Sequence, residues 1–192
     1  RVALDGLLDA EGWRSPALLP AGDRLLVAAR DADALLCLRA FDGAQLWRRP
    51  RGDGIFLADV SAERAAIVGR STISSLRLTD GEPAWQQPTS IPAPSGRGFA
   101  HHGLYTLPLS TGEVATLSLE TGRMLVRSPL AGGSVAGNLI AAEGRLISQS
   151  AAKVEAWPAL TPSDLADTVP MDPTELARRG ELRLHGGDVE AG

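Results

Sequence analysis

The sequence predicts an all-β chain, built from about four copies of one short-stranded unit and followed by a short α-helical tail. Two observations carry most of this. Turn glycines recur at 43, 81 and 122, so the unit repeats after 38 and then 41 residues. Between the glycines, runs of roughly four to six apolar or β-branched residues are separated by Gly, Asp, Asn or Ser, which is the pattern of short antiparallel strands and leaves no room for an ordinary helix. Composition agrees. Gly (21) and Pro (13) together make up about 18% of 192 residues, above the ordinary share of roughly 12%, so turns are frequent.

The first copy runs Arg24-Leu25-Leu26-Val27-Ala28, then Leu35-Leu36-Cys37-Leu38-Arg39-Ala40, then Phe41-Asp42-Gly43-Ala44-Gln45-Leu46-Trp47 and Pro50. The second places Ala65 to Gly69 before Ile73 to Leu78, then Thr79-Asp80-Gly81-Glu82-Pro83-Ala84-Trp85 and Pro88. A third reads Leu104 to Leu107, Val114 to Leu119, then Glu120-Thr121-Gly122-Arg123-Met124-Leu125-Val126 and Pro129. Arg145 to Ser148 with Val154 to Trp157 forms a degenerate fourth copy without the turn glycine. Asp42-Gly43 and Asp80-Gly81 are strong hairpin signals, because Gly takes positive φ without steric cost and primed two-residue turns match strand twist. Thr121-Gly122 fills the same place. A period near 40 residues with about four strands per unit is the dimension of a β-propeller blade, which has no core of its own and packs face to face on its neighbours. Four blades are the lower limit for ring closure, so an open arc with an unsatisfied sheet face is expected.

These residues resemble the PQQ-like (quinoprotein-type) β-propeller repeat proteins, which also include the outer-membrane assembly scaffold BamB; WD40-like blades share the architecture. The carrying motif is a turn Gly followed four residues later by Trp, as in Gly43/Trp47 and Gly81/Trp85. The resemblance implies that this Trp docks between adjacent blades. The chain departs from the pattern at Val126, which replaces the Trp. It departs again at Arg39, Arg77 and Ser118, four residues before each glycine, where Asp is usual. Weaker docking hydrogen bonds, with the fold unchanged, are the expectation. The likeness covers about residues 1–158 and implies a periplasmic or cell-envelope setting.

From about Thr161 the texture changes. Residues 159–172 read as a linker, with Pro162 and Pro170 and with Ser163 and Asp172 as candidate helix caps. Residues 173–192 read as helical, with Leu176, Gly180 and Leu184 on one face. This segment resembles the start of a tetratricopeptide repeat, in which a small Gly180 admits a close partner helix. The chain begins at Arg1 without an initiator Met or a signal-peptide pattern, so a piece of a longer protein is expected.

Charge and motifs exclude several function classes. With 19 Lys+Arg against 23 Asp+Glu, the net charge of -4 argues against a basic nucleic-acid binder. No window approaches 18 consecutive apolar residues, so membrane insertion is not expected. Cys37 is the sole cysteine. It cannot form an intramolecular disulfide, and its apolar run predicts a small buried hydrophobe. Among the quinone-dependent alcohol dehydrogenases of the family, the resemblance would demand adjacent bridged cysteines and a Ca²⁺ site. One cysteine excludes the former, and acids alternate in isolated pairs alone, as in Asp31-Ala32-Asp33, never in the longer run of a Ca²⁺ loop. No cofactor and no metal are expected.

Three residues stand out as possible partner-facing groups: Arg97, His101 and His102. Ser95-Gly96-Arg97-Gly98 looks like a phosphate cradle but lacks the Lys-Ser/Thr and the following helix of a P-loop. Its glycines are read as an inter-blade crossing, with Arg97 towards the propeller's central channel or mouth. His101 and His102, adjacent in a strand-like run from Phe99 to Leu109, should point to opposite faces, and no ligand follows at zinc spacing. No Gly-x-Ser-x-Gly nucleophile elbow occurs. The expectation is a non-catalytic scaffold binding a protein or peptide. The alternative is a segment of a PQQ-dependent oxidoreductase whose cofactor site lies outside this chain.

Overall fold

The computed structural model describes residues 17–28 and 33–158. The linker read at 159–172 and the helix read at 173–192 lie outside the described residues. Among the described residues, fifteen strands form four antiparallel sheets in which sequence neighbours pair, so each sheet is a meander. Blade 1 holds β1 (Ala17–Ala21), β2 (Arg24–Ala28), β3 (Leu35–Arg39) and β4 (Gln45–Arg49). Blade 2 holds β5 (Gly54–Val60), β6 (Arg64–Gly69), β7 (Thr72–Arg77) and β8 (Thr89–Ser90). Blade 3 holds β9 (Phe99–His101), β10 (Leu104–Pro108), β11 (Glu113–Ser118) and β12 (Met124–Pro129). Blade 4 shows three strands, β13 (Asn138–Ala142), β14 (Arg145–Gln149) and β15 (Val154–Pro158). No α-helix occurs among the described residues; one 3-10 turn, Ala131–Gly133, links blades 3 and 4.

The first strands of successive blades touch, β1 to β5, β5 to β9 and β9 to β13, which makes them the inner strands of the arc. No comparable contact joins β13 to β1 among the described residues. Alternation builds the cores between sheets. On β2 and β3, Leu26, Ala28, Leu35 and Cys37 face blade 2, where they meet Leu57, Ala65, Ile67 and Leu78. A second cluster, with Phe56, Val68, Ile73, Tyr105, Leu107 and Leu117, lies between blades 2 and 3. A smaller one, with Val114, Leu130, Leu139 and Leu146, joins blades 3 and 4. Cys37 is fully buried, and burial pushes its thiol pKa up.

Two local expectations change. Phe99 to Leu109 is not one strand. The chain reverses at His102 and Gly103, whose φ values are 46° and 73°, and His101 pairs with Leu104 across that turn. Glu143 and Gly144 do the same at the start of blade 4, with φ values of 50° and 67°. These are the two-residue primed turns, since both central residues take positive φ. Asp42-Gly43 and Asp80-Gly81 are not, because only the glycine of each pair has positive φ. There the hairpin is longer: the Arg39 amide donates to the Ala44 carbonyl and the Gly43 amide to the Arg39 carbonyl. The Asp42 side chain then accepts from the Ala44 amide.

Candidate functional site

The blade-turn residues recur in one geometry. In blade 2, Arg77 and Gly81 repeat the backbone bonds of Arg39 and Gly43, and Asp80 accepts from the Glu82 amide as Asp42 does from Ala44. In blade 3, Ser118 and Gly122 repeat them again, with Thr121 Oγ1 accepting from the Arg123 amide. Arg39 pairs with Asp42 and Arg77 with Asp80 across each turn. These backbone bonds hold the Asp42 and Asp80 carboxyls below the ordinary aspartate value, with help from the neighbouring arginines.

Trp47 and Trp85 project from the ends of blades 1 and 2 onto the turns of the next blade. Trp47 Nε1 donates to the Leu78 carbonyl at 2.9 Å, and Trp85 Nε1 to the Leu119 carbonyl at 3.1 Å. Both rings are buried. The acceptor is main-chain, so Arg39, Arg77 and Ser118 are not needed for it; they close their own turns instead. That is why their departure from the family pattern leaves the docking bond in place. Each ring lies flat against a turn glycine, Gly81 under Trp47 and Gly122 under Trp85, leaving no room for a Cβ. Blade 3 has the smaller, buried Val126 at this place.

At the same end of the arc, three hairpin turns of blades 2 and 3 enclose an open groove of about 420 Å³. Its walls include Asp59, Glu63, Arg64, His101, His102 and Glu120. Ser61 caps the first turn by accepting from the Glu63 and Arg64 amides. Arg64 Nη1 crosses to the Glu120 carbonyl at 2.8 Å, locking the two blades together along the groove floor. The two imidazoles do not diverge as adjacent strand residues would. Because His102 sits in a left-handed turn rather than in a strand, the rings meet edge to face with centroids 4.0 Å apart. Both side chains are exposed.

Arg97 lies away from that groove. Its amide donates to Asn138 Oδ1, and its carbonyl accepts from the Leu139 amide. Its guanidinium carbon stands 5.2 Å from the Phe56 ring centroid, within cation–π range. It therefore ties β5 and β13 together among the inner strands. Gly96 and Gly98 pass so close to Gly137 and to the Thr106 carbonyl that a side chain at either would collide; this is a crossing, not a phosphate cradle. Sequence reasoning did not find Asp59, Glu63, Arg64 or Glu120, because nothing marks turn residues 56 positions apart as neighbours. Among the described residues, no group of three or more His, Cys, Asp or Glu side chains is placed to hold a metal. No helix among them is long and apolar enough to cross a membrane.

Comparison with known proteins follows the same lines. Residues 2–154 match the repeat family described as outer membrane protein assembly factor BamB. The chain belongs to this family. BamB from Moraxella catarrhalis superposes with a TM-score of 0.56 at 18% identity, covering 75% of this chain and 48% of BamB. The computationally designed Ika4 protein gives 0.59 at 14%, covering 80% of this chain and 97% of Ika4. Hsv2 of Kluyvelomyces marxianus gives 0.54 at 10%, covering 71% of this chain and 43% of Hsv2. At these identities the likeness establishes the propeller fold, and this chain spans about half the length of BamB. No curated protein matches by sequence.

Proposed function

We propose that the protein is a non-catalytic β-propeller scaffold that binds a protein or peptide partner in complex assembly at the cell envelope. The supporting observation is the groove between the turns of blades 2 and 3, rimmed by the exposed His101 and His102. Its walls are pre-ordered by Ser61, by the Arg64 bridge and by the Trp85–Gly122 seat, so a ligand there meets a surface whose ordering entropy is already lost on folding. Family membership supports the same reading, since the family is described by an outer-membrane assembly factor.

A photo-crosslinking amino acid placed at His102, and in a second variant at the exposed Arg70 on the opposite turn end, tests this in cells. One discrete protein adduct from position 102 and none from position 70 supports the scaffold. Equal, diffuse adducts from both overturn the groove as the site. Titration with pyrroloquinoline quinone and Ca²⁺, followed by absorbance, tests whether this chain itself carries a cofactor site; saturable binding would overturn the scaffold reading.

A further inference from the structure

The groove between blades 2 and 3 carries an excess of negative charge. Among the described residues that line it, three are carboxylates, Asp59, Glu63 and Glu120, against the guanidinium of Arg64. That guanidinium is already engaged. Its Nη1 donates to the Glu120 carbonyl at 2.8 Å, and its Nη2 stands 3.8 Å from the Glu63 carboxylate. Glu63 nevertheless keeps 82% of its side chain exposed. Asp59 is half-buried and makes no hydrogen bond or ion pair among the described residues. Removing a carboxylate from water without giving it a partner costs free energy, and an incoming cation offsets that cost.

The backbone aims Asp59 into the groove. On β5, Leu57 pairs with Ile67, and both pack in the core between blades 1 and 2. A regular strand would return Asp59, two residues on, to that same face. Instead the register shifts after Leu57, so that Ala58 is the extra residue of a β-bulge and Asp59 lies opposite Ala66, which packs between blades 2 and 3. Val60 then pairs with Ala65 and rejoins the first core. One extra residue therefore turns a carboxylate away from an apolar interface and towards the blade 3 side. There the exposed rings of His101 and His102 meet edge to face, and a neutral imidazole adds one hydrogen-bond acceptor.

We infer that the partner seated in this groove presents a basic segment, with a Lys or Arg side chain directed at Asp59; this names the chemistry of the partner and rests on the groove being the partner site. Charge complementarity carries it. Two negative charges in excess within a cavity of about 420 Å³, walled by three hairpin turns, focus their field on a cationic group and repel an acidic one. The volume accepts a long side chain, and either a guanidinium or an ammonium can form charge-assisted hydrogen bonds to Asp59.

Two synthetic peptides test this: acetyl-Gly-Arg-Gly-Lys-Gly-amide, and the same peptide with Glu in place of both cations. Each is titrated into the full chain carrying isotope-labelled histidine, and the ring signals of His101 and His102, assigned by single His→Gln variants, are followed. The basic peptide should shift them saturably and the acidic peptide should not. Asp59→Asn should weaken the basic peptide about tenfold, whereas Asp23→Asn, an equal charge change at a side chain 84% exposed on the blade 1 turn, should change it by less than about twofold. Glu63→Gln, at an exposed turn, carries the same comparison if Asp59→Asn does not fold. Equal weakening at Asp59 and Asp23 would overturn the inference, because the attraction would then be to the overall charge of -4. Shifts from the acidic peptide, or from neither, would overturn it as well. The photo-crosslink from position 102 in cells separates the two readings. An adduct that persists undiminished in Asp59→Asn/Glu63→Gln leaves the groove as the partner site and overturns its basic partner, whereas no adduct in the parent overturns both.

Discussion

The indole of Trp47 lies so close on Gly81 of the following blade that a Cβ built on that glycine would stand 2.7 Å from the ring. The glycine thus meets two demands at once, a left-handed backbone and a flat seat for a neighbour's side chain. Gly81→Ala is expected to destabilise the fold by about 2 kcal/mol or more, through strained φ and displacement of the ring. Trp47→Ala removes a buried aromatic and its bond to Leu78, with a cost of about 3 to 5 kcal/mol. Because both act on one contact, the double variant should lose less than the sum. Urea unfolding of the four proteins measures this, and strict additivity would sink the seat as described.

Arg51 is a buried guanidinium at the entry to blade 2, only 5% exposed. Its Nε donates to the Gly54 carbonyl at 2.9 Å and its Nη2 to the Ile55 carbonyl. Arg51→Met keeps the aliphatic stem but leaves carbonyls without donors, at a cost of about 1 to 3 kcal/mol. Arg51→Lys should recover part of this, since an ammonium cannot reproduce the planar fork. Thermal denaturation in which the Met variant equals the parent would contradict the assignment.

Acid should weaken the blades in a defined window. The Ala44 amide and Arg39 lower the Asp42 carboxyl below 3.8, and the Glu82 amide and Arg77 do so for Asp80. Thr111 and Arg127 likewise lower Glu113, and Lys153 and Ser134 lower Glu155, below 4.5. A depressed folded value means that the unfolded chain takes up protons first, so this stabilisation is present above the ordinary carboxylate range and is lost as pH falls through the folded values. The melting temperature should therefore drop between about pH 5 and pH 2. An Asp42→Asn/Asp80→Asn variant should start lower at neutral pH and fall less steeply. Parallel curves for parent and variant would refute the turn carboxylates as the cause.

The single thiol offers a readout of the blade 1–blade 2 interface. Cys37 has no exposed surface, and its sulfur lies 3.9 Å from the Leu78 carbonyl that also receives the Trp47 indole. With its pKa raised by burial, the native thiol should react with an aromatic disulfide reagent at least tenfold more slowly than a thiol in denaturant. Trp47→Ala should restore much of that rate. A native Cys37 that reacts as fast as free cysteine would place the interface elsewhere.

The repeat was legible because its markers are local. A glycine that must take positive φ, an Asp or Thr two residues before the next donor, and a Trp four residues on all fall within one hairpin, so Gly43, Gly81 and Gly122 announce themselves. The turn type did not follow, since Asp-Gly fits both a two-residue primed turn and the longer loop that forms here. His102 and Glu143 were missed as turn residues for a related reason: any non-glycine residue in the left-handed region is disfavoured, and no local signal shows that the strands around it will insist on the reversal. The groove was least visible. Glu63 and Glu120 become neighbours only when blades 2 and 3 stack.

Val126, standing where the earlier blades carry an indole, has a mechanical consequence. The boundary between blades 3 and 4 lacks the ring-on-glycine seat and its Nε1–H bond, and is held by a small cluster around Val114, Leu139 and Leu146 together with the hydrogen bonds of Ser95 and Arg97 to the entry of blade 4. In an array whose units contact mainly their neighbours, strength is set boundary by boundary. A load applied through Pro158 would peel blade 4 away first and leave the two tryptophan-seated boundaries intact, so the arc has a built-in weak link at its C-terminal side and a stiff body of three blades behind it.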